Sequence, residues 1–170
     1  MVSQQTNVKV RYNWVHDTIK YGIRFDGDGD GHDGYIHHNI GWNCEGGIMV
    51  KGGILDENLQ TVGGHYVYNN TIFNSSDKND IIILNNQKGV NINYGSLCIN
   101  NLAEKISGHR SDDVSLESWI VNLNNFTPIN VEDYLLDVSN NDYRPSYNMS
   151  IVDAGNTSYS NSSFNPSGND

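Results

Sequence analysis

Charged side chains are scarce in this chain, at 18% of 170 residues, and proline (3) and cysteine (2) are scarcer still. Helices draw on Ala, Leu, Glu and Lys, so a chain poor in charge and rich in Gly and Asn is expected to hold very little helix and many tight turns. With so little proline it is not a Pro-rich linker. Ten basic residues against twenty acidic ones give a net charge of −10. That excess excludes the clustered Lys and Arg that a nucleic-acid backbone requires. It suits a secreted protein or one that binds cations, and it opposes a polyanionic substrate unless local cations reverse the field. Long apolar runs are missing too. The strongest, Ile81 to Leu84, is far below a membrane-spanning length, so no membrane partner is expected. The first residues lack the basic and apolar regions of a signal peptide.

What is present is a repeat. Four segments align on an asparagine: VKVRYN ending at Asn13, GYIHHN at Asn39, HYVYNN at Asn70 and SLCINN at Asn101, at intervals of 26, 31 and 31 residues. Each is a short β-branched or aromatic run, as a strand requires. Three residues before each Asn stand Val10, Ile36, Val67 and Cys98, a column that should face the core. A second strand follows at a nearly constant offset: Ile23–Phe25, Ile48–Val50 and Ile82–Leu84, two of them introduced by Gly22 and Gly47. Nothing between the strands is periodic enough for a crossover helix. The unit is therefore strand, Asn corner, turn, strand and variable loop, each coil burying its apolar face against its neighbours. Asparagine suits the corner because it tolerates a left-handed backbone, and its stacked amides can form a hydrogen-bonded ladder.

The fold class this implies is all-β, a right-handed parallel β-helix, with coils over 5–110, a loop-rich segment over 111–155 packing on the last coils and a disordered tail over 156–170. In YGIRFDG (21–27), YIHHNIGWN (35–43), GGIMVKGG (46–53) and YNNTIFN (68–74) the chain resembles the right-handed parallel β-helices of the pectate-lyase-like superfamily. NDYRPSYNMSIVDAG (141–155) is similar to the closing segment of many secreted carbohydrate-active β-helices. The resemblance implies polysaccharide lyase or glycoside hydrolase activity on one shared scaffold. Four coils are few for that family. The chain is thus expected to be the C-terminal portion of a larger, secreted or extracellular protein.

Alternation along the first strand turns Lys9, Arg11, Tyr35, His37, Tyr66 and Tyr68 away from the core. Aromatic rings, a histidine and cations stacked in that way suit an extended glycan, with Arg11, Tyr35, Tyr66 and Tyr68 as substrate-binding residues and Arg24 beside them. Aromatics simply suiting exposed strands is the plainer alternative. His37 and His38 should point to opposite faces. His37 is a candidate base for a sugar C5 proton, with Arg or Lys neutralising the carboxylate.

Asp26, Asp28 and Asp30 alternate with glycine as at the start of a calcium loop, although the position that would carry the bidentate Glu is His37. They are either Ca²⁺ ligands or a solvated acidic turn. Asp26 also aligns with Lys51 one coil on, which gives an acid–base pair or a structural salt bridge. Glu45, on the adjoining turn, would supply the second carboxylate of a glycosidase, which requires separations of roughly 5–9 Å. His109 and Arg110 sit in a loop where arginine could clamp a carboxylate or sulfate. Cys44 and Cys98 fall about two coil spacings apart, roughly 10 Å, and should both be free.

Overall fold

The computed structural model describes residues 6–26, 32–52 and 64–146. Asp28 and Asp30, the 147–155 part of the closing segment and the 156–170 tail lie outside the described residues. The protein is all-β, and its strands pair mainly in parallel with the strands of the next repeat. The first repeat contributes β1 (Lys9–Arg11), β2 (Trp14–His16) and β3 (Tyr21–Asp26). The second contributes β4 (Tyr35–His37), β5 (Ile40–Trp42) and β6 (Gly46–Lys51). The third contributes β7 (Tyr66–Tyr68), β8 (Thr71–Phe73) and β9 (Ile81–Ile83), and is followed by a hairpin of β10 (Asn86–Gln87) and β11 (Val90–Asn91). The fourth contributes β12 (Leu97–Ile99), β13 (Leu102–Ala103) and β14 (Ile106–Ser107), and a fifth adds β15 (Val121–Leu123). An antiparallel pair, β16 (Leu135–Asp137) and β17 (Asp142–Pro145), follows.

Three parallel sheets result. The first runs β1-β4-β7-β12-β15, the second β2-β5-β8-β13 and the third β3-β6-β9-β14. Every repeat from the first to the fourth therefore places one strand in each sheet, an arrangement compatible with a solenoid. Among the described residues, helix is limited to two single 3-10 turns, Glu132–Tyr134 and Val138–Asn140.

The inward column is as the sequence spacing requires: Val10 pairs with Ile36, Ile36 with Val67 and Val67 with Cys98. All four belong to one apolar core with Ile23, Phe25, Ile48, Val50, Ile72, Ile81, Ile83 and Ala103. Leu116, Trp119 and Ile120 pack against that core beyond the fourth repeat, and Trp119 Nε1 donates to the Ile92 carbonyl at 3.0 Å. Cys44 and Cys98 are buried and free, and burial pushes the Cys98 thiol up to about 12.

At the corners each ladder asparagine closes the same set of bonds. Asn70 Nδ2 donates to Asn101 Oδ1 at 3.0 Å and to the Ile36 carbonyl at 2.9 Å, while Asn70 Oδ1 accepts from Asn39 N at 3.1 Å and Asn39 Nδ2 at 3.0 Å. The chain of amides runs Asn13–Asn39–Asn70–Asn101–Asn125. Satisfied buried amides in series specify one register, because a slip would orphan several at once.

Four expectations need correction. The corner asparagines are not themselves left-handed. The residue before each takes that conformation: Tyr12 (φ 57), His38 (54), Asn69 (53), Asn100 (56) and Asn124 (50). The backbone bend comes first, and the next side chain then points into the ladder. A whole sheet, the second, was read as turn, because three-residue strands show too little alternation to register as a pattern. In the third strand of the third repeat it is Ile81, not Ile82, that aligns with Ile48. Four consecutive apolar residues carry no parity and left that register open. Finally, the fifth repeat, with Asn125 on the ladder, escaped notice because its spacing falls to 24 residues.

Close approach explains Gly47. A Cβ there would lie 2.3 Å from the Asp80 carbonyl oxygen, where the third sheet tightens. Asp80 itself is buried and ties two repeats together. It accepts from Ser75 Oγ at 2.5 Å and from the backbone N–H groups of Glu104 and Lys105, both at 2.9 Å.

Two measurements follow from this packing. Asn70→Ala would strand the Ile36 carbonyl, the Asn101 amide oxygen and the Asn39 donors in the interior, at about 1–3 kcal/mol for each unsatisfied group. We expect a loss of about 3–5 kcal/mol by urea titration at unchanged m-value, against about 1–2 kcal/mol for Asn125→Ala at the ladder's end. The second concerns pH. Burial raises the Asp80 carboxyl to about 6, outweighing the hydrogen bonds from Ser75 and Lys105 that act the other way. A carboxyl raised in the folded state stabilises fully below the unfolded value near 3.9 and loses that contribution as pH rises through 6. The stability difference between the parent and Asp80→Asn should therefore shrink by up to ~3 kcal/mol from pH 4 to pH 7. A difference constant with pH would contradict this assignment.

Candidate functional site

The side chains flanking the inward column form two vertical files on the outer side of the first sheet. Lys9, Tyr35, Tyr66, Leu97 and Val121 make one, and Arg11, His37, Tyr68, Ile99 and Leu123 the other. Strand pairing superimposes rings of successive repeats. Tyr35 stacks on Tyr66 with centroids 4.7 Å apart, and His37 on Tyr68 at 4.6 Å. Lys9 lies over the Tyr35 ring at 5.8 Å. The files change character along the stack, from cations through aromatics to aliphatics. Tyr66, Tyr68, His37, Leu97 and Ile99 are all buried. Accessible surface on the predicted strip is thus concentrated in its first-repeat end, at Lys9, Arg11 and Tyr35.

The edge of this sheet is different. Strand alternation places His37 and His38 on opposite faces, but β4 ends at His37 and His38 is left-handed. That twist returns the His38 ring to the same side, and the two Nδ1 atoms lie 2.8 Å apart. At this separation one ring nitrogen donates and the other accepts, so the pair holds its protons jointly. Tyr12, left-handed one repeat earlier, brings its ring to 5.2 Å from His38 and 6.1 Å from His37. The Arg11 guanidinium sits 5.6 Å from the Tyr12 ring centroid, and its Nη1 is buried with no hydrogen-bond partner among the described residues.

Around this edge, between the first and second sheets, lies an open groove of about 370 Å³ lined by Tyr12, Trp14, His38, Asn39, Ile40, Asn69 and Thr71. Tyr12 is 61% and Trp14 58% exposed. Beyond the groove the outer face of the second sheet is covered. Val131, Leu135 and Tyr143 bury Phe73 and Leu102, and the Tyr143 ring meets Trp14 at 5.2 Å and Trp42 at 4.6 Å. The groove is therefore bounded by the C-terminal segment that steadies Trp14. Sequence reasoning missed Tyr12, Trp14, His38, Asn69 and Thr71 because it treated the corner as a turn. A signal was present: the corner position that is Asn in later repeats is Tyr or His in the first two. Tyrosine gains nothing from a left-handed backbone, and unfavourable backbone of this kind gathers at functional sites.

The remaining candidates sit elsewhere. Asp26 pairs with Lys51 in strand register, and Lys51 Nζ is 2.7 Å from Asp26 Oδ1, while Arg24 holds the other carboxylate oxygen. Arg24 in turn lies 5.7 Å from the Tyr21 ring centroid. A Ca²⁺ ion at Asp26 would have to displace both cations. Glu45 is not near this cluster. It precedes β6, whose last residue is Lys51, so the two carboxylates are separated by about six extended residues, roughly 20 Å. Glu45 is engaged by Lys78 at 2.9 Å. Among the described residues no three His, Cys, Asp or Glu side chains gather as a metal site.

Comparison with protein-family models, with curated proteins and with solved structures gives no match.

Proposed function

We propose that the chain is part of a polysaccharide-degrading enzyme built on a right-handed parallel β-helix of the pectate-lyase-like kind, and that it acts by β-elimination on a uronate-containing glycan at the corner groove. Parallel strands joined by a crossover are almost always right-handed, which supports the handedness. The observation that carries the reaction type is the grouping of His38, His37, Tyr12 and Arg11 at one edge, set against carboxylates that are apart and ion-paired. A glycosidase needs its two carboxyl groups close across one bond, whereas elimination needs a base and a cation.

In this reading exposed Trp14 and Tyr12 cover the faces of sugar rings. The unpartnered Arg11 nitrogen receives the sugar carboxylate and offsets the charge that develops there. His38, kept in the required tautomer by His37, accepts the C5 proton. The released electron pair forms the C4–C5 double bond as the C4–O bond breaks, and the departing oxygen takes up a proton. His37 touches no substrate and is a positioning residue.

The burial of Tyr66, Tyr68 and His37 favours a second reading, a non-catalytic glycan-binding or tailspike-like module that uses the same groove for binding alone. Product analysis separates the two. Incubation with uronate-containing glycans should yield unsaturated oligosaccharides, seen by ultraviolet absorbance and mass spectrometry. His38→Ala should lower kcat by about a hundredfold or more, the range of general-base catalysis. Tyr12→Asn should weaken glycan binding while leaving the fold as stable or more so, and Glu45→Gln should leave turnover unchanged. Binding with no unsaturated product would establish the module reading instead.

A further inference from the structure

On the far side of the third sheet, away from the corner groove, a second pocket of about 240 Å³ is lined by Leu84, Asn86, Gln87, Lys88, His109 and Arg110. In a chain with net charge −10, these six residues include no carboxylate. Lys88 and Arg110 form no ion pair or side-chain hydrogen bond among the described residues. His109 Nδ1 is used by Asp112, whose backbone N–H and carboxylate both lie 3.2 Å away, which leaves its other ring nitrogen for the pocket.

Both walls are held by their own bonds. Lys88 and Gly89 connect β10 to β11 with φ of 51° and 79°, the two-residue turn that fixes a hairpin tightly. Opposite, Ser107 Oγ donates to the Asp112 carbonyl at 2.8 Å and accepts from His109 N at 3.0 Å, while Gly108 N donates to the Val114 carbonyl at 2.6 Å. Asn79 Nδ2 donates to the His109 and Asp112 carbonyls, both at 3.0 Å. Cations presented by preformed walls lose little freedom on binding. Two amides beside them add donors for further oxygens.

We infer that this pocket, formed by Lys88, His109 and Arg110 against the amides of Asn86 and Gln87, binds an oxyanion of the sulfate or carboxylate type carried on a sugar. The size is below that of a drug-sized site and suits a single sugar-sized group. That a sugar is the carrier rests on the proposed function; the oxyanion site itself does not.

The test is an NMR titration of the His109 ring and Arg110 side-chain resonances with sodium sulfate, a hexuronate and the matching neutral hexose, at ionic strength held constant with chloride. Sulfate and hexuronate should give saturable shifts and the neutral hexose none. Arg110→Ala and Lys88→Ala, both at exposed positions and checked by circular dichroism, should each weaken binding by about tenfold. Saturation by hexuronate alongside sulfate assigns a sugar carrier, and saturation by sulfate alone restricts the site to the free anion or a sulfate ester. Non-saturating shifts with both anions, equal shifts with the neutral hexose, or unweakened variants would overturn the site. The same titration on His38→Ala keeps the two proposals separate: anion binding should survive there, whatever happens to turnover.

Discussion

The buried asparagine ladder is the interaction on which the rest of this structure depends. Deleting a buried aliphatic such as Val67 would cost about 2–3 kcal/mol, and cores absorb part of such a loss by collapsing. An interior amide cannot be replaced in that way. Each rung serves the repeats on both sides, so its removal leaves polar groups of three repeats without partners. Against a total stability of about 5–15 kcal/mol, one corner rivals any core side chain. The ladder also explains how three-residue strands suffice. Such strands specify register weakly by their hydrophobic pattern alone, and the amide chain from Asn13 to Asn125 supplies what they lack.

Register in turn decides what can meet. Because Val10, Ile36, Val67 and Cys98 share one inward file, residues 26 to 31 positions apart become ring-to-ring neighbours on the outside. The outer surfaces then diverge. Aliphatic side chains in later repeats close the first sheet's face, and the segment ending in Tyr143 closes the second. The corner between them stays open, and its first two bends carry Tyr12 and His38 where later bends carry Asn. Backbone preference yields there to the side chains that the groove displays.

Much of this was legible in the sequence. The inward file, the Asn column and the Asp26–Lys51 pairing follow from counting along the chain, since vertical neighbours in stacked repeats need only equal offsets. What escaped has physical causes. Alternation holds inside a strand and fails at a left-handed residue, so His38 was assigned to the face opposite His37 although the two rings touch. The Tyr66 and Tyr68 side chains point away from the core as expected but are buried, because outward does not mean exposed. Glu45 seemed close to Asp26 in sequence context, yet extended backbone separates the two. The groove residues Tyr12 and Trp14 fell in what read as a turn, although the second sheet begins there.

Native-state hydrogen exchange at the corners tests the ladder most directly. The backbone N–H groups of Asn39, Asn70 and Asn101 donate to side-chain oxygens of the next repeat, so their protection should equal that of the core strands and reflect global unfolding alone. Exchange at these three sites as fast as in the exposed turns would mean that the amides do not hold the repeats together, and the stacking built on them would fail.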